Sequence, residues 1–356
     1  MSSMIAIHHR REGFSTRWIQ YCDEQAIPYT IVNCLDSSIL EQLRNVDALL
    51  WHWHHENAAE RLVARSIILA AESMGLLVFP NTDTCWHFDD KIAQKYLLEA
   101  IGAPLVPIRL FYQMDHALAW IAATSFPKVF KLRTGAGSSN VRLVKTQGQA
   151  TALVKRAFGV GFSIIPGYHH DVAKRIHVAR RRRDLFGAIR RLPATMKNIR
   201  RLSRSLGRER GYVYFQDFIP ENHFDTRITI VGDRAFGFTR DVRPGDFRAS
   251  GSGRIVYDVN RIQPRCIEIA FEVARKVKSQ SMAFDFVNNI DGAPMILEVS
   301  YCYDAQAVFN CAGHWDSHLN WHDGSMWPQE AILIDLLAGI RQREQSQDIR
   351  SQIPSR

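Results

Sequence analysis

The chain contains 356 residues, enough for two or three domains, and its 46% hydrophobic and 23% charged residues are typical of a globular protein. This composition excludes a disordered polymer, and the longest uncharged stretch, 157–170, is shorter than the roughly 18 residues that span a bilayer. The formal net charge of +9 is concentrated in one segment. Between Lys174 and Arg210 there are 14 basic and two acidic residues, so the remainder of the chain sums to −3.

Six cysteines are scattered without a CxxC pair, and Arg10 and Arg11 interrupt the N-terminus before an apolar signal region could form. This pattern predicts reduced thiols in a cytoplasmic protein and supports neither a disulfide scaffold nor a zinc module.

The first 85 residues alternate between apolar strands and amphipathic helices, which predicts an α/β domain with a parallel sheet. The predicted strands are Met4–His8, Tyr29–Cys34, Ala48–Trp53 and Leu76–Phe79, and the predicted helices are 15–25, 39–43 and 60–74.

The second predicted domain, 86–220, is a smaller α+β unit that begins with an amphipathic helix over 89–102. Its central feature is a β-hairpin in which Lys128–Leu132 and Val141–Val144 flank a loop of small residues. Glycines in such a loop let backbone amides approach a ligand closely. A helix over 147–158, the basic insert 174–210 and the aromatic strand Tyr212–Phe218 complete this unit.

The third predicted domain, 221–340, has antiparallel character. Arg227–Val231 and Ala235–Arg240 flank a Gly-Asp turn, which is typical of a hairpin. The further predicted elements are a helix over 262–278, a second hairpin formed by 282–288 and 295–299, and a closing helix over 329–341. The polar segment 341–356 is expected to be a flexible tail.

Two acids in the last hairpin suggest a metal site. Asp285 and Glu298 occupy adjacent strands, and carboxylates that face the same side form an anionic oxygen site suited to Mg²⁺. The alternative is that each acid faces solvent on an ordinary sheet.

Lysines and glycines upstream suggest phosphate binding. Lys131 precedes Gly135, Gly137 and Ser138, and lysine supplies a point charge beside backbone amides. The string matches neither GxGxxG nor a P-loop, so a glycine hairpin without a ligand remains an alternative. Lys91, at a predicted helix start, is either a second phosphate contact or a surface base.

The strand that ends in Gln216, Asp217, Phe218 and Ile219 offers backbone donors and acceptors to a flat heterocycle, and Asp225 is a candidate for holding a ribose. Three arginines lie on the antiparallel segments that follow, and converging arginines bind phosphate or carboxylate bidentately. They are Arg227, Arg240 and Arg248. Surface ion pairing is the alternative role, and it is expected for at least one of them.

Histidines and arginines follow two predicted strands of the first unit. His8 and Arg10 come after the first strand and His52 lies at the end of the third, where open α/β sheets bind ligands. Together with Arg17 they are candidates for recognising an acceptor or a carboxylate substrate. Polar capping of loops is the alternative.

Taken in order from about Asn81 to Leu337, these motifs resemble the ATP-grasp superfamily, most closely the glutathione synthetase and RimK-type carboxylate–amine ligases. Lys91, Phe130-Lys131, the Gly135–Ser138 loop and Gln216–Ile219 are similar to the nucleotide-binding motifs of that family. Asp225-Thr226-Arg227, Arg240, Arg248 and the pair Asp285 and Glu298 follow its ribose, phosphate and metal contacts. Two departures are Ser300, where the family has a metal-ligating Asn, and Ser250-Gly251, where it often has Asn after the second arginine.

The resemblance implies a preATP-grasp-like N-terminal domain, a small central lid and a C-terminal antiparallel domain, with ATP and Mg²⁺, or Mn²⁺ in its place, as cofactors. It implies ATP-dependent formation of an amide from a small carboxylate and an amine through an acyl phosphate, with release of ADP and phosphate. Arg240, Arg248 and Arg227 would stabilise the transferring phosphoryl group. Ser300 would complete the metal site, and Ser250 and Gly251 would contact substrate.

Three questions stay open in the sequence. A kinase that phosphorylates a hydroxyl and a non-catalytic ATP-binding module are alternatives to the ligase. The basic insert 174–210 is either a helical hairpin packed on the body or a surface that binds an anionic membrane or a polyanion. Membrane binding would place the protein at the inner face of the membrane. No specific nucleic acid is expected as the polyanion. The segment 313–330 resembles a signature of ATP-grasp proteins linked to surface-polysaccharide genes, and an oligomer is compatible with the sequence.

Overall fold

Three main β-sheets follow one another along the chain and form a mixed α/β and α+β architecture. The computed structural model describes residues 3–11, 13–55, 57–134, 140–163, 207–242, 248 and 254–351. The loop residues Gly135, Gly137 and Ser138, the basic insert up to residue 206, and Ser250 and Gly251 lie outside the described residues. In the described part of the chain, no helix is both long and apolar enough to cross a membrane.

The first sheet is parallel, as the alternation of strands and helices predicts. Its strand order is β2-β1-β3-β4. The elements are β1 (Ile5–His8), α1 (Phe14–Glu24), β2 (Tyr29–Val32), α2 (Ile39–Gln42), β3 (Ala48–Leu50), α3 (Ala58–Ser73), β4 (Leu77–Phe79) and α4 (Thr82–Cys85). The prediction of a strand to Trp53 was wrong, because the amide of Trp53 donates to the carbonyl of Trp51 and turns the chain after Leu50.

The second sheet is small and antiparallel, with order β5-β10-β6-β7. The elements of this region are α5 (Lys91–Ala100), β5 (Ile108–Phe111), α6 (Met114–Ala123), β6 (Lys128–Lys131), β7 (Val141–Val144), α7 (Gln147–Phe158), β8 (Phe162–Ser163), β9 (Arg208–Glu209) and β10 (Val213–Asp217), of which β8 and β9 form a separate two-stranded sheet. One face packs on α6 and α7 through residues such as Phe130 and Phe215. The other face carries Tyr214 and Ile108. The β6–β7 hairpin was predicted from sequence, whereas β5 and α6 were not.

The third sheet is antiparallel, with order β15-β14-β11-β12-β16-β17 and β13 beside β12. Its elements are β11 (Phe224–Val231), β12 (Arg234–Asp241), β13 (Ile255–Val256), a 3₁₀ turn (Val259–Arg261), α8 (Pro264–Lys276), β14 (Ser281–Asn288), β15 (Pro294–Ser300), α9 (Ala305–Phe309), β16 (Gly313–Trp315), β17 (Trp321–Asp323) and α10 (Pro328–Ser351). Helix α8 covers one face with a strongly amphipathic surface, where Ile228, Phe284 and Phe286 are buried. The opposite face carries the charged residues described below.

The last helix continues to Ser351, so the prediction of a flexible tail beginning at residue 341 was wrong for its first eleven residues. Residues Leu333, Leu336 and Ile340 of α10 join the hydrophobic core of the first sheet. The indole of Trp18 in α1 donates a 2.9 Å hydrogen bond to the carbonyl of Gln329. The C-terminal helix therefore completes the core of the N-terminal unit, which gives it a reason to be long and ordered.

This docking predicts the effect of Trp18→Phe. The substitution removes a buried hydrogen bond and part of a fully buried ring, so the free energy of unfolding should fall by about 1–3 kcal/mol in a denaturant titration. The same change at Trp86, which is 41% exposed, serves as the control and should alter stability by less than about 0.5 kcal/mol. Equal effects at both positions would contradict the proposed docking role.

Candidate active site

A row of charged side chains crosses one face of the third sheet. In the antiparallel register, Arg240 lies opposite Asp225, and Arg227 lies opposite Asp285. Asp285 in turn lies opposite Glu298 on the edge strand β15. Residues two apart on a strand share a face, so Asp225 and Arg227 of β11 lie on the same side of the sheet. They link the Arg240–Asp225 pair to the Arg227–Asp285 pair. The register therefore places Asp285 and Glu298 on adjacent strands, as the sequence predicts, and their role as metal ligands stays a prediction.

Asp285 is held by two arginines. Arg227 donates to both of its carboxylate oxygens at 2.6 and 2.8 Å, and Arg240 Nη2 lies 2.8 Å from Oδ2. Arg240 also donates to both oxygens of Asp225, at 2.7 and 2.5 Å. Asp225, Arg240 and Asp285 are all buried. Burial alone raises the pKa of Asp285, but the two arginines outweigh it and hold that pKa well below its ordinary value.

Glu298 faces two lysines. Lys91 Nζ lies 3.1 Å from Glu298 Oε1. Asp90 caps α5 by accepting hydrogen bonds from the amides of Ile92 and Ala93, so Lys91 stands in the first turn of that helix. The amide of Lys91 donates to the carbonyl of Arg133 just beyond β6, which joins the start of α5 to the second sheet. Lys91 and Lys131, which were predicted to bind phosphate together, both lie near Glu298.

The two lysines differ in their protonation. Burial is the largest influence on Lys131, and with the repulsion of Lys91 it lowers the pKa of Lys131 to about 8 despite Glu298. Burial also acts on Lys91, but the attraction of Glu298 and Asp89 raises the pKa of Lys91. Glu298 itself is penalised by burial, yet Lys91 and Lys131 hold its pKa below the ordinary value. The cluster therefore has two carboxylates that stay ionised and one lysine that titrates close to neutrality.

A narrow cavity separates the second sheet from strand β15. It is lined by Ile108, Lys131 and Tyr214 of the second sheet, by Leu297 and Glu298 of β15, by four residues of α5 and by Leu105. Its free space is about 10 Å³, room for about one water molecule, so the second sheet lies against the third sheet.

Gln216 lies on the same face of β10 as Tyr214 and is fully buried. Its Nε2 donates to the carbonyl of Leu297 at 3.4 Å, and its Oε1 has no hydrogen-bond partner among the described residues. A buried acceptor without a donor is costly, so a ligand amine placed here would remove that cost.

The other predicted nucleotide contacts surround the end of β10. Asp217 Oδ1 accepts a 2.7 Å hydrogen bond from Lys128, and its amide donates to the carbonyl of Pro107. Phe218 and Ile219 follow the strand and are half-buried. Arg248 is half-buried and lies between two segments outside the described residues.

Ser300 is engaged within its own turn. Its hydroxyl donates to the carbonyl of Cys302 at 2.9 Å and accepts from the amide of Cys302 at 3.1 Å. Ser300 lies two residues after Glu298 on β15 and so shares its face of the sheet. The hydroxyl retains one lone pair, which makes it a weaker candidate for a metal ligand than the two acids.

A second, larger cavity of about 460 Å³ lies at the ends of β1 and β3. It brings together His8, Arg10 and His52, three of the six residues predicted to contact substrate. His8 Nδ1 accepts from the amide of Cys34 at 3.0 Å, so the neutral ring carries its proton on Nε2. Arg17 is not among the residues that line the cavity; it pairs with Glu330 and Glu24.

Sequence reasoning missed several residues of this cavity. Phe14, whose ring stacks on His52 with centroids 3.8 Å apart, comes from the start of α1. His54, Cys302 and Tyr303 also contribute to the lining. The aromatic and histidine residues of segment 51–55 are visible in the sequence. The loop after β15, which lies beside this segment in the structure, is about 250 residues away in sequence, so no local pattern connects the two.

The site fits a magnesium–nucleotide complex in its donor set. Asp285 and Glu298 supply ionised oxygens, the ligand type that Mg²⁺ prefers, and Lys91 and Lys131 supply cations for phosphate. Gln216 Oε1 supplies the buried acceptor that a purine amine would satisfy. Lys91, Arg227 and Arg240 form ion pairs with these acids, so a magnesium–nucleotide complex would bind only if these cations shifted.

Comparison with known proteins gives the fold. No protein-family model matches the chain, and no curated protein matches it. Among solved structures, it is similar to a RimK domain ATP-grasp protein from Sphaerobacter thermophilus, with a TM-score of 0.52, 16% identity, and coverage of 86% of this chain and 93% of that one. The chain has the ATP-grasp fold.

Two further structures agree with that conclusion. D-cycloserine synthetase DcsG matches with a TM-score of 0.55 and 14% identity, covering 94% of this chain and 100% of that one. D-alanine–D-alanine ligase from Bacillus anthracis, in complex with ATP, matches with a TM-score of 0.57 and 11% identity, covering 96% and 99%. All three cover nearly the whole chain, so the ATP-grasp fold accounts for all three sheets.

The ion network of this ATP-grasp chain predicts a large stability effect for Asp225→Asn. Removing one partner of a buried pair leaves Arg240 with an incompletely compensated charge, so the free energy of unfolding should fall by about 3 kcal/mol in denaturant titrations. The control is Asp241→Asn, whose carboxylate pairs with Arg261 at 2.9 Å but is 37% exposed. That change should cost less than about 1 kcal/mol, and a similar loss for both variants would contradict the prediction.

Proposed function

We propose that this protein is an ATP-dependent carboxylate–amine ligase that forms an amide through an acyl phosphate. The observation that carries the proposal is the placement of Asp285 directly opposite Glu298, with Lys91 and Lys131 against Glu298 and two arginines against Asp285. Paired acids beside clustered cations form a site for a metal-bound polyphosphate.

Each charged group has a role that follows from its position. Asp285 and Glu298 would hold Mg²⁺, which would neutralise phosphate charge when bound. Lys91 and Lys131 would contact phosphate oxygens, and Gln216 with the following residues 217–219 would hold the base between β10 and β15. Arg227 and Arg240 lie beside Asp285, so they are the candidates for stabilising the charge that would develop during phosphoryl transfer.

The second cavity suits a carboxylate-bearing small molecule. Arg10, Arg11 and the first residues of α1 line it, which places guanidinium charge and the N-terminus of a helix beside an anion bound there. Helix α1 has no side chain capping its N-terminus, because Gly13 occupies the N-cap position. The loop 300–304 runs from the end of β15 to this cavity, which connects it to the proposed metal site.

The test is ADP release from ATP and Mg²⁺ across a panel of amino acids, sugar acids and amino sugars. A ligase should release ADP and phosphate only when an acid and an amine are both present. Glu298→Gln should lower that turnover by about 100-fold or more, because the metal loses an ionised ligand. Glu268→Gln, an exposed acid on α8 paired with Arg265, is the matched control and should keep normal turnover.

The same assay separates the alternatives. A kinase would leave phosphate on its product with a hydroxyl acceptor alone. A non-catalytic module would bind ATP without Mg²⁺-dependent turnover on any acceptor. Either result would reject the ligase.

The pKa of Lys131 predicts a pH dependence of nucleotide binding. Below its pKa of about 8 the amine is a cation, and above it the amine becomes neutral and loses its attraction for phosphate. Affinity for Mg²⁺ and a non-hydrolysable ATP analogue should therefore fall as pH rises through about 8, by up to about tenfold per pH unit. Calorimetry over roughly pH 7 to 9 measures this slope.

Lys131→Arg should remove that slope, because a guanidinium stays charged throughout the range. Lys145→Arg, at an exposed position beyond β7, should retain it. A wild-type affinity that is independent of pH would show that Lys131 does not contact the bound phosphates.

A further inference from the structure

Two histidines and a cysteine meet where the loop after β3 touches the loop after β15. Each of His54, His55 and Cys302 offers one ligand atom, and these three atoms all lie within 4.8 Å of one another. Around a tetrahedral metal, nitrogen and sulfur ligands at about 2.0–2.3 Å from the ion lie about 3.3–3.6 Å apart. Side-chain adjustments of about 1 Å would therefore close the three ligands on one ion.

The backbone around these ligands is fixed by specific hydrogen bonds. The buried carboxylate of Glu60 accepts from the amide of His54 at 2.6 Å and from Asn57 Nδ2 at 2.8 Å. The hydroxyl of Tyr301 donates to the carbonyl of Trp53. The residues next to two ligands, Trp53 and Tyr301, are thus joined directly, which brings the two loops together without a metal.

Ser300 fixes the third ligand. Its hydroxyl both donates to the carbonyl and accepts from the amide of Cys302, which defines the turn that carries the thiol. This is the position where the sequence departs from the Asn of related ligases. The departure thus coincides with a turn that presents Cys302 toward the two histidines.

The histidine rings are suited to bind a metal. His55 Nδ1 is buried without a hydrogen-bond partner among the described residues. The rings of His54 and His55 stack with centroids 4.3 Å apart, and the Cys302 thiol lies beside them.

We propose that His54, His55 and Cys302 bind one Zn²⁺ ion and leave its fourth coordination position open to the 460 Å³ cavity. Two imidazoles and one thiolate form a borderline-soft donor set that suits zinc better than magnesium. His54 and Cys302 both line the cavity, so a donor atom of a bound small molecule is the natural fourth ligand. This site shares no ligand with Asp285 and Glu298, although Glu298 and Lys91 lie close enough for their charges to act on His55, and it stands whether or not the chain is a ligase.

The first test uses the untagged full-length protein, stripped with a chelator and titrated with Co²⁺ as a spectroscopic probe. One equivalent should produce a thiolate-to-cobalt charge-transfer band together with intense visible bands typical of tetrahedral cobalt. One equivalent of Zn²⁺ should abolish both, and competition with a chromogenic chelator gives its affinity. Absence of the charge-transfer band in the wild-type protein would overturn the proposal.

Variants assign the ligands. Cys302→Ser should abolish the charge-transfer band and weaken Zn²⁺ binding by more than about tenfold, and His55→Ala should weaken it similarly. The matched controls are Cys266→Ala, a buried cysteine of α8, and His318→Ala, an exposed histidine, which should both keep the wild-type band and stoichiometry. Circular dichroism checks that each variant is folded. A band that survives in Cys302→Ser, or that disappears in either control, would place the metal elsewhere.

Discussion

The charged row on the third sheet depends on backbone register. Hydrogen bonding between β11, β12, β14 and β15 sets Arg240, Asp225, Arg227, Asp285 and Glu298 on one face, while α8 fills the other face with apolar side chains. A slip of one residue in any pair would turn charges into that apolar layer, at a cost far above that of a lost surface contact. Both faces of the sheet therefore specify the register, and the register fixes the positions of the acids beside the second sheet.

The hairpin pattern predicted that Asp285 and Glu298 lie on adjacent strands, and the family resemblance predicted that Lys91 and Lys131 contact one ligand. The structure brings these four side chains together, and their roles stay predictions. The identity of each ion pair was not predictable, because it depends on which strand lies beside β11. Asp225 was expected to hold a ribose, and in this structure its carboxylate is occupied by Arg240; a ribose contact would have to compete with a buried bidentate pair.

Long-range packing explains what the sequence could not reveal. The polar residues after Arg343 resemble a tail in isolation, but α10 is anchored by Leu333, Leu336 and Ile340 in the core of the first sheet and continues from there. The apolar run after Leu50 resembles a strand, but it turns to deliver His54 and His55 toward Cys302. Ligands from segments so distant share no spacing motif, so the absence of a CxxC pair could exclude a compact zinc module but not a site assembled by the fold.

Charge balance indicates how the closed site could accept a polyphosphate. Lys91, Lys131, Arg227 and Arg240 face Asp225, Asp285 and Glu298, and Asp89 also acts on Lys91, so the cations and the acids of the cluster nearly balance. If the two lysines turned from Glu298 to the phosphate oxygens of a bound nucleotide, each would keep an anionic partner. Glu298 would then bind a metal ion at little electrostatic cost, whereas a metal ion that arrived alone would have to displace Lys91 from Glu298 without giving Lys91 a new partner. Under the proposed function, this arrangement favours entry of nucleotide and metal together over entry of the metal first.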